Sequence, residues 1–366
     1  MTRPLRVGID AHMVGGQETG NETYVKGLVD GLMKIAPDAL DCVIFNIASP
    51  WTPANGRMHF QKLATGNPLV RLGLELPIRS ALDHIDVLHM TYSSPLWTPS
   101  RVVLTVHDIC YATHPEWFSA RDVRVLSVMV PRSIAHAAHV ITVSHQARKE
   151  IIERYGVPEA KISAIPNGPG LNAPSSTDDE ARAQVAASGI DPGLPYVLSV
   201  GNLQPRKNIG RLIEAFRRLP AELHLVIVGP KHYRAEDVIA AGGADSGRIH
   251  FTGYVSDREL ASIYQCSVAF IMPSLYEGFG LPVLEAMSRG IPVASSNAGA
   301  LPEVCGDAAV MFDPLDVDAM TDAINRVVGD QDLRRRLAEA GKARAAAFSW
   351  EKTATLTLQV YERARR

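Results

Sequence analysis

Short aliphatic and β-branched runs alternate with longer amphipathic segments along nearly the whole chain. Such alternation is the pattern of repeated strand–helix–strand units on a parallel sheet. The runs predict strands at Leu5–Ile9, Cys42–Phe45, Val87–Met90, Val102–Val106, Val140–Val143 and Ile162–Ile165. A second set follows at Tyr196–Val200, Leu223–Val228, Ile249–Phe251, Val268–Ile271 and Pro292–Ser295. Most are apolar at successive positions, as strands covered on both faces must be. Between the sets lies Asn172–Gly193, rich in Ser, Ala, Asp, Pro and Gly, which reads as an interdomain linker with a short helix at Asp178–Ser188. Ser349 is a candidate N-cap for a last helix, Ser349–Arg366. The expected fold class is α/β, with two doubly wound domains whose ligands bind beyond the carboxyl ends of the strands, in the cleft between the domains.

Composition narrows the picture without supplying chemistry. A length of 366 residues suits two domains at roughly 150 residues each. With 37 Lys and Arg against 39 Asp and Glu, and no polybasic block, nucleic acid is not an expected partner. The opening apolar run is too short for a signal-peptide core, and no stretch reaches the ~18 apolar residues of a spanning helix. Cys42, Cys110, Cys266 and Cys305 form no CxxC pair, as expected of reduced thiols in a soluble cytoplasmic protein.

Four clusters carry candidate chemistry. After the first strand, Gly15, Gly16 and Gly20 precede the apolar helix around Val25–Leu32, and form either a merely tight turn or a backbone approach to a phosphate. After Tyr196–Val200 comes Gly201-Asn-Leu-Gln-Pro-Arg-Lys-Asn208, whose Arg206 and Lys207 stand at a strand end as a solvated pair or as cations for a diphosphate. The third cluster, Pro273-Ser-Leu-Tyr-Glu-Gly-Phe-Gly-Leu-Pro-Val-Leu-Glu-Ala-Met287, is the most informative. Pro282 suits the first turn of a helix, so Gly278–Gly280 would offer backbone N–H groups and a positive dipole end to an anion. Glu277 and Glu285 would flank that anion and accept bonds from hydroxyls. The fourth is His107 at a strand end, with Asp108 orienting it or capping the next turn. His136 and His139 are placed to share a helix face, but packing is favoured over metal binding without a third ligand.

The spacing Glu277-x7-Glu285 inside EGFGLPVLEAM, with VGNLQPRKN, VSHQARKEIIERYGVPEAKISAIPNG and HDICYATHPEWF, resembles glycosyltransferase family 4. The resemblance runs in order over nearly the whole chain. It implies the GT-B fold, two facing Rossmann-like domains with an interdomain cleft, and transfer of a sugar from a nucleoside-diphosphate sugar to an acceptor hydroxyl with retention. It implies an acceptor-binding domain over 1–172, a nucleotide-sugar-binding domain over 173–348, and a last helix over 349–366 crossing back onto the first. Carried over residue by residue, Arg206 and Lys207 would bind the donor diphosphate, and Glu277 the hydroxyls of the transferred sugar. The amides of Gly278, Phe279, Gly280 and Leu281 would hold its phosphate and sugar, Glu285 the ribose, and Tyr254 and Val255 the base. His107 would lie near the reacting sugar, making His107 and Glu277 the catalytic pair, and Gly16 and Gly20 would reach the phosphate or the acceptor. By resemblance the first choice of donor is GDP-mannose, and the acceptor a glycan or a lipid-linked saccharide.

Two departures matter. Many members read TGIGRY where this chain has Thr19-Gly-Asn-Glu-Thr-Tyr24, which puts acceptor contacts there in question, and Asn202 replaces an arginine that others use. Asp316-Val-Asp318 and Asp330-Gln-Asp332 match the metal-binding DxD triplet, yet both start helical segments, where Asp is a cap. Metal-independent transfer is therefore expected, with no cofactor beyond the donor. A glycosidase needs its two carboxylates on opposite sides of one bond, whereas Glu277 and Glu285 share one loop–helix unit. The remaining alternatives are a nucleotide-sugar 2-epimerase, a sugar phosphorylase and a non-catalytic nucleotide-sugar-binding protein of the same fold. Glu277→Ala and Lys207→Ala are expected to abolish activity with little loss of stability. Tyr111–Ile134, carrying Arg121, Arg124 and Arg132, reads as an acceptor lining, a peripheral membrane contact on the inner face, or a solvated helix packing its apolar side.

Overall fold

The computed structural model describes residues 3–15, 19–35, 40–47, 58–171, 173, 176–233, 235–242 and 247–365. Two compact units divide the chain: residues 1–115, 120–168 and 348–366 form the first, and residues 116–119 and 169–347 the second.

In the first unit β1 (Leu5–Asp10), β2 (Leu40–Asn46), β3 (Met58–Lys62), β4 (Val87–Thr91), β5 (Arg101–Thr105), β6 (His139–Thr142) and β7 (Ile162–Ala164) lie in the order β3-β2-β1-β4-β5-β6-β7. Every neighbouring pair is parallel. In the second unit β8 (Tyr196–Val200), β9 (His224–Val228), β10 (Ile249–Gly253), β11 (Ala269–Met272), β12 (Val293–Ser296) and β13 (Ala309–Phe312) lie in the order β10-β9-β8-β11-β12-β13, again all parallel. Both are doubly wound sheets of Rossmann-like type. Strand order reverses between β1 and β4 in one, and between β8 and β11 in the other.

The uninterrupted apolar runs are the buried central strands, and two edge strands escape that reading. β3 has no buried residue, because an edge strand faces solvent on one side. β13 is four residues long between Asp307 and Asp313, with only Val310 and Phe312 buried. The linker reading also changes. Thr177 and Glu180 form a capping box that starts the Asp178–Ala187 helix, and Gln265 donates to Asp178 at 3.0 Å. This segment is packed structure of the second unit; Asn172 itself lies outside the described residues.

The last helix, Trp350–Arg365, is part of the first unit, and Ser349 Oγ caps it by accepting from the Lys352 amide at 3.1 Å. It packs on the Thr19–Ile35 helix, and together they cover one face of the sheet in a core that includes Leu28, Leu32, Trp350 and Tyr361. Glycine makes this approach possible. A Cβ at Gly27 would stand 2.1 Å from the Trp350 ring, and one at Gly168 2.5 Å from the Trp350 nitrogen.

Candidate active site

In the second unit the loops leaving β8 and β11 meet at the strand-order reversal. The β8 loop ends in the single turn Pro205–Lys207, and the β11 loop carries Glu277. Lys207 Nζ donates to Glu277 Oε1 at 2.8 Å, while Arg206 donates to Glu277 Oε2 at 2.8 Å and to the Tyr276 carbonyl at 2.8 Å. Glu277 is 7% and Lys207 8% exposed, so this is a buried ion cluster and not a solvated pair. Burial alone would raise the Glu277 carboxyl, but the two cations outweigh it and hold it at about 2.

Backbone geometry keeps the cluster in place. Gly201, at φ 152°, lets the lysine pass, since a Cβ there would lie 2.8 Å from Lys207 Cε. Asn208 adopts a left-handed φ of 57°, and its amide donates to the Pro273 and Pro314 carbonyls at 3.0 and 2.8 Å, tying the β8 loop to the β11 loop. Sequence reasoning assigned Asn208 no duty; an Asn, a residue type enriched in the left-handed region, directly after a basic pair was the available signal.

Gly280, at φ 115°, precedes the Leu281–Ser288 helix, with Pro282 in its first turn. Gly278, Phe279 and Gly280 are buried and Leu281 half-buried, so the helix N-terminus lies directly after Glu277. Glu285 is buried too, and Tyr264, a residue the sequence did not flag, donates to its Oε2 at 3.2 Å. Burial raises the Glu285 carboxyl to about 7. The two glutamates that spacing placed together are thus chemically unlike: one is a fixed anion, the other is close to half-protonated at neutral pH. Tyr254 and Val255 follow β10, two strands from β8; Tyr254 is exposed and Val255 half-buried.

In the first unit His107 leaves β5 with its ring edge-on to Tyr24, centroids 4.7 Å apart. Burial lowers it to about 4, so the ring is neutral, and its Nε2 is buried without a hydrogen-bond partner among the described residues. Behind it runs a buried polar chain: Tyr361 to His89, His89 to Thr105 at 2.8 Å, and Thr105 to Tyr24 at 2.8 Å. Asp108 accepts from the Cys110 amide at 3.0 Å and so caps the next turn. Gly20 is exposed in open space, whereas Gly16 lies outside the described residues. Glu22, one of the departures from the family pattern, pairs with Lys26 one helical turn on.

Other readings are settled by local geometry. His136 ends a helix and His139 begins β6, bonded to Ser163 at 2.9 Å, so they share no helix face. Asp316 accepts from the Ala319 amide and Asp330 from that of Leu333, each at 2.9 Å, so both DxD triplets are helix caps.

Residues 20–169 match Glycosyltransferase Family 4, and residues 180–344 match Glycosyl transferases group 1. The O-antigen chain mannosyltransferase B of Escherichia coli is 36% identical over 306 residues, which cover 78% of this chain and 77% of that protein. The chain belongs to glycosyltransferase family 4. As a family 4 glycosyltransferase it is an enzyme of the GT-B fold, and solved structures agree on that fold. Sucrose-phosphate synthase from Thermosynechococcus elongatus aligns over 98% of both chains at a TM-score of 0.79 and 22% identity. HepE from Anabaena, in complex with UDP-glucose, aligns over 98% of this chain and 99% of its own at 0.75 and 18%.

Proposed function

We propose that this glycosyltransferase moves a hexose from a nucleoside-diphosphate sugar to a hydroxyl of a glycan or lipid-linked saccharide, retaining anomeric configuration and needing no metal. Mannose from GDP-mannose is the first choice. The observation that carries the reading is the buried Arg206–Lys207–Glu277 cluster at the strand-order reversal, directly before the Leu281–Ser288 helix. Departure of a nucleoside diphosphate builds negative charge on oxygen. Two preplaced cations and a helix N-terminus stabilise that charge without reorganising at the moment of reaction. Glu277 lets Lys207 lie buried and Arg206 half-buried at modest cost and, as a fixed anion, accepts hydrogen bonds from sugar hydroxyls. Tyr264 orients Glu285 toward a neutral diol such as ribose, and the unpaired Nε2 of His107 suits a sugar hydroxyl. No protein nucleophile is assigned: the departing phosphate oxygen takes the acceptor proton on the face it leaves.

The mannosyl choice is supported by the name of the E. coli relative, and the nucleotide-sugar class by the UDP-glucose complex of HepE. A thermal-shift comparison of GDP, UDP, ADP and TDP tests the donor. A ligand at a hundred times its Kd stabilises by about 2.7 kcal/mol, so GDP alone should shift the melt strongly. Equal shifts, or a UDP-selective one, would discard GDP-mannose. Transfer should persist in excess chelator; loss with EDTA and rescue by Mn²⁺ would sink the metal-free reading.

A further inference from the structure

Among the described residues, nine of thirteen exposed large hydrophobic side chains belong to the first unit. They come from three separate segments. On the helical stretch Pro68–Leu82, with one π turn at Arg71–Glu75, Val70, Leu74, Ile78 and Leu82 point outward at four-residue spacing, beside Leu69, which is 82% exposed. Leu72 and Leu76 are buried beneath them. Leu96 and Trp97, 51% and 55% exposed, lie in the β4–β5 connection, and Val125 and Val128 on the Ala120–His136 helix. The last two segments touch, since the Ser94 amide donates to Ser133 Oγ at 2.9 Å.

Handedness places all three on one face. The crossovers β3 to β4, β4 to β5 and β5 to β6 run in one direction across the sheet, and β1 to β2 runs in the other. Right-handed connections therefore lay the three segments on the face opposite the Thr19–Ile35 helix, which with the last helix covers the other face. Exposed apolar side chains gathered in this number on one face mark an interaction site. Its positive charge lies on one segment: the Ala120–His136 helix carries Arg121, Arg124 and Arg132 against Asp122, while Glu75 and Arg79 offset one another on Pro68–Leu82.

We infer that this face of the first unit rests on an anionic lipid surface. Aliphatic side chains spread over three segments suit a plane better than a single partner helix, Trp favours the headgroup level, and arginines complement anionic lipid. A second copy docked on the same patch would bring like-charged helices together. No helix among the described residues is long and apolar enough to cross a membrane, so the contact lies on the bilayer. The inference stands on this surface and not on the donor reading.

Flotation of the full chain with vesicles of mixed phosphatidylglycerol and phosphatidylcholine tests it. The protein should float with these vesicles, less so as salt rises, and not with phosphatidylcholine alone. Leu74→Glu/Val128→Glu and, separately, Arg121→Glu/Arg124→Glu should each weaken partitioning at least about tenfold. Melting temperature and the nucleotide-induced thermal shift should not move, which separates this result from failure of the donor assignment. Absence of flotation, or flotation indifferent to both variants, overturns the inference. So does a dimer by light scattering that Leu74→Glu/Val128→Glu dissociates, which would assign the face to a second copy.

Discussion

The strand ends of the two units share a sheet type and differ in chemistry. At β8 and β11 two cations, the half-buried Arg206 and the buried Lys207, share one buried carboxylate, Glu277. At β4 and β5 the buried polar groups are neutral, running from Tyr361 through His89 and Thr105 to Tyr24, with His107 against Tyr24. Ion clusters tolerate burial only when every charge has its partner; neutral rings and hydroxyls need only their hydrogen bonds. Under the proposed function this contrast divides the labour. The charged end suits a diphosphate, and the neutral end suits hydroxyls.

The widest effect expected is on the charged end. Lys207→Ala should lower turnover roughly a hundredfold to a thousandfold, as loss of one charge-stabilising donor does. Glu277→Ala should also destabilise, by about 3 kcal/mol, because it strands the buried Lys207 and the half-buried Arg206. This revises the expectation of little stability loss, which placed both residues at a cleft and not in a core. A denaturant melt checks it, and an unchanged midpoint would mean that water reaches the cations.

Next in size is the packing of the first unit. Gly27→Ala should cost about 2–3 kcal/mol by pushing Trp350 off the Thr19–Ile35 helix. An unaltered melt would show that the last helix is dispensable to this unit.

The two glutamates give opposite pH dependences. Glu277, held at about 2 against an ordinary 4.5, contributes stability that is present above pH 4.5 and lost as pH falls toward 2. Glu285, raised to about 7, contributes stability that is full below pH 4.5 and lost as pH rises through 7, at most about 3 kcal/mol. The pH dependence of melting temperature should therefore be flatter than wild type for Glu285→Gln between about pH 4.5 and 7, and flatter in acid for Glu277→Gln.

The smallest effect sharpens the neutral end. His107→Phe should leave stability unchanged or slightly raised, since it removes a buried polar atom that has no partner among the described residues, and should lower turnover by roughly tenfold. A drop in stability would show that Nε2 is satisfied in solution.

Much of this was legible in one dimension because the physics is local. A strand buried on both faces must be apolar throughout, and a helix end needs a cap, so the central strands and the duties of Ser349, Asp316 and Asp330 could be read directly. Residue types at strand ends were equally visible, as Arg206, Lys207 and His107 were. Partners were not. Arg206 and Glu277 lie 71 residues apart and meet because β11 pairs with β8, an adjacency set by strand order.

The sequence by itself determined the α/β class, the family and the residues with chemistry to offer, since periodicity, capping and motif spacing are properties of neighbours along the chain. Only the tertiary structure decided that Glu277 is a fixed anion while Glu285 titrates near neutrality, that Trp350 lies in a cradle of glycines, and that nine exposed apolar side chains of the first unit share one sheet face. Those outcomes depend on burial and on which distant segments touch, and both are settled by the packing of the whole unit.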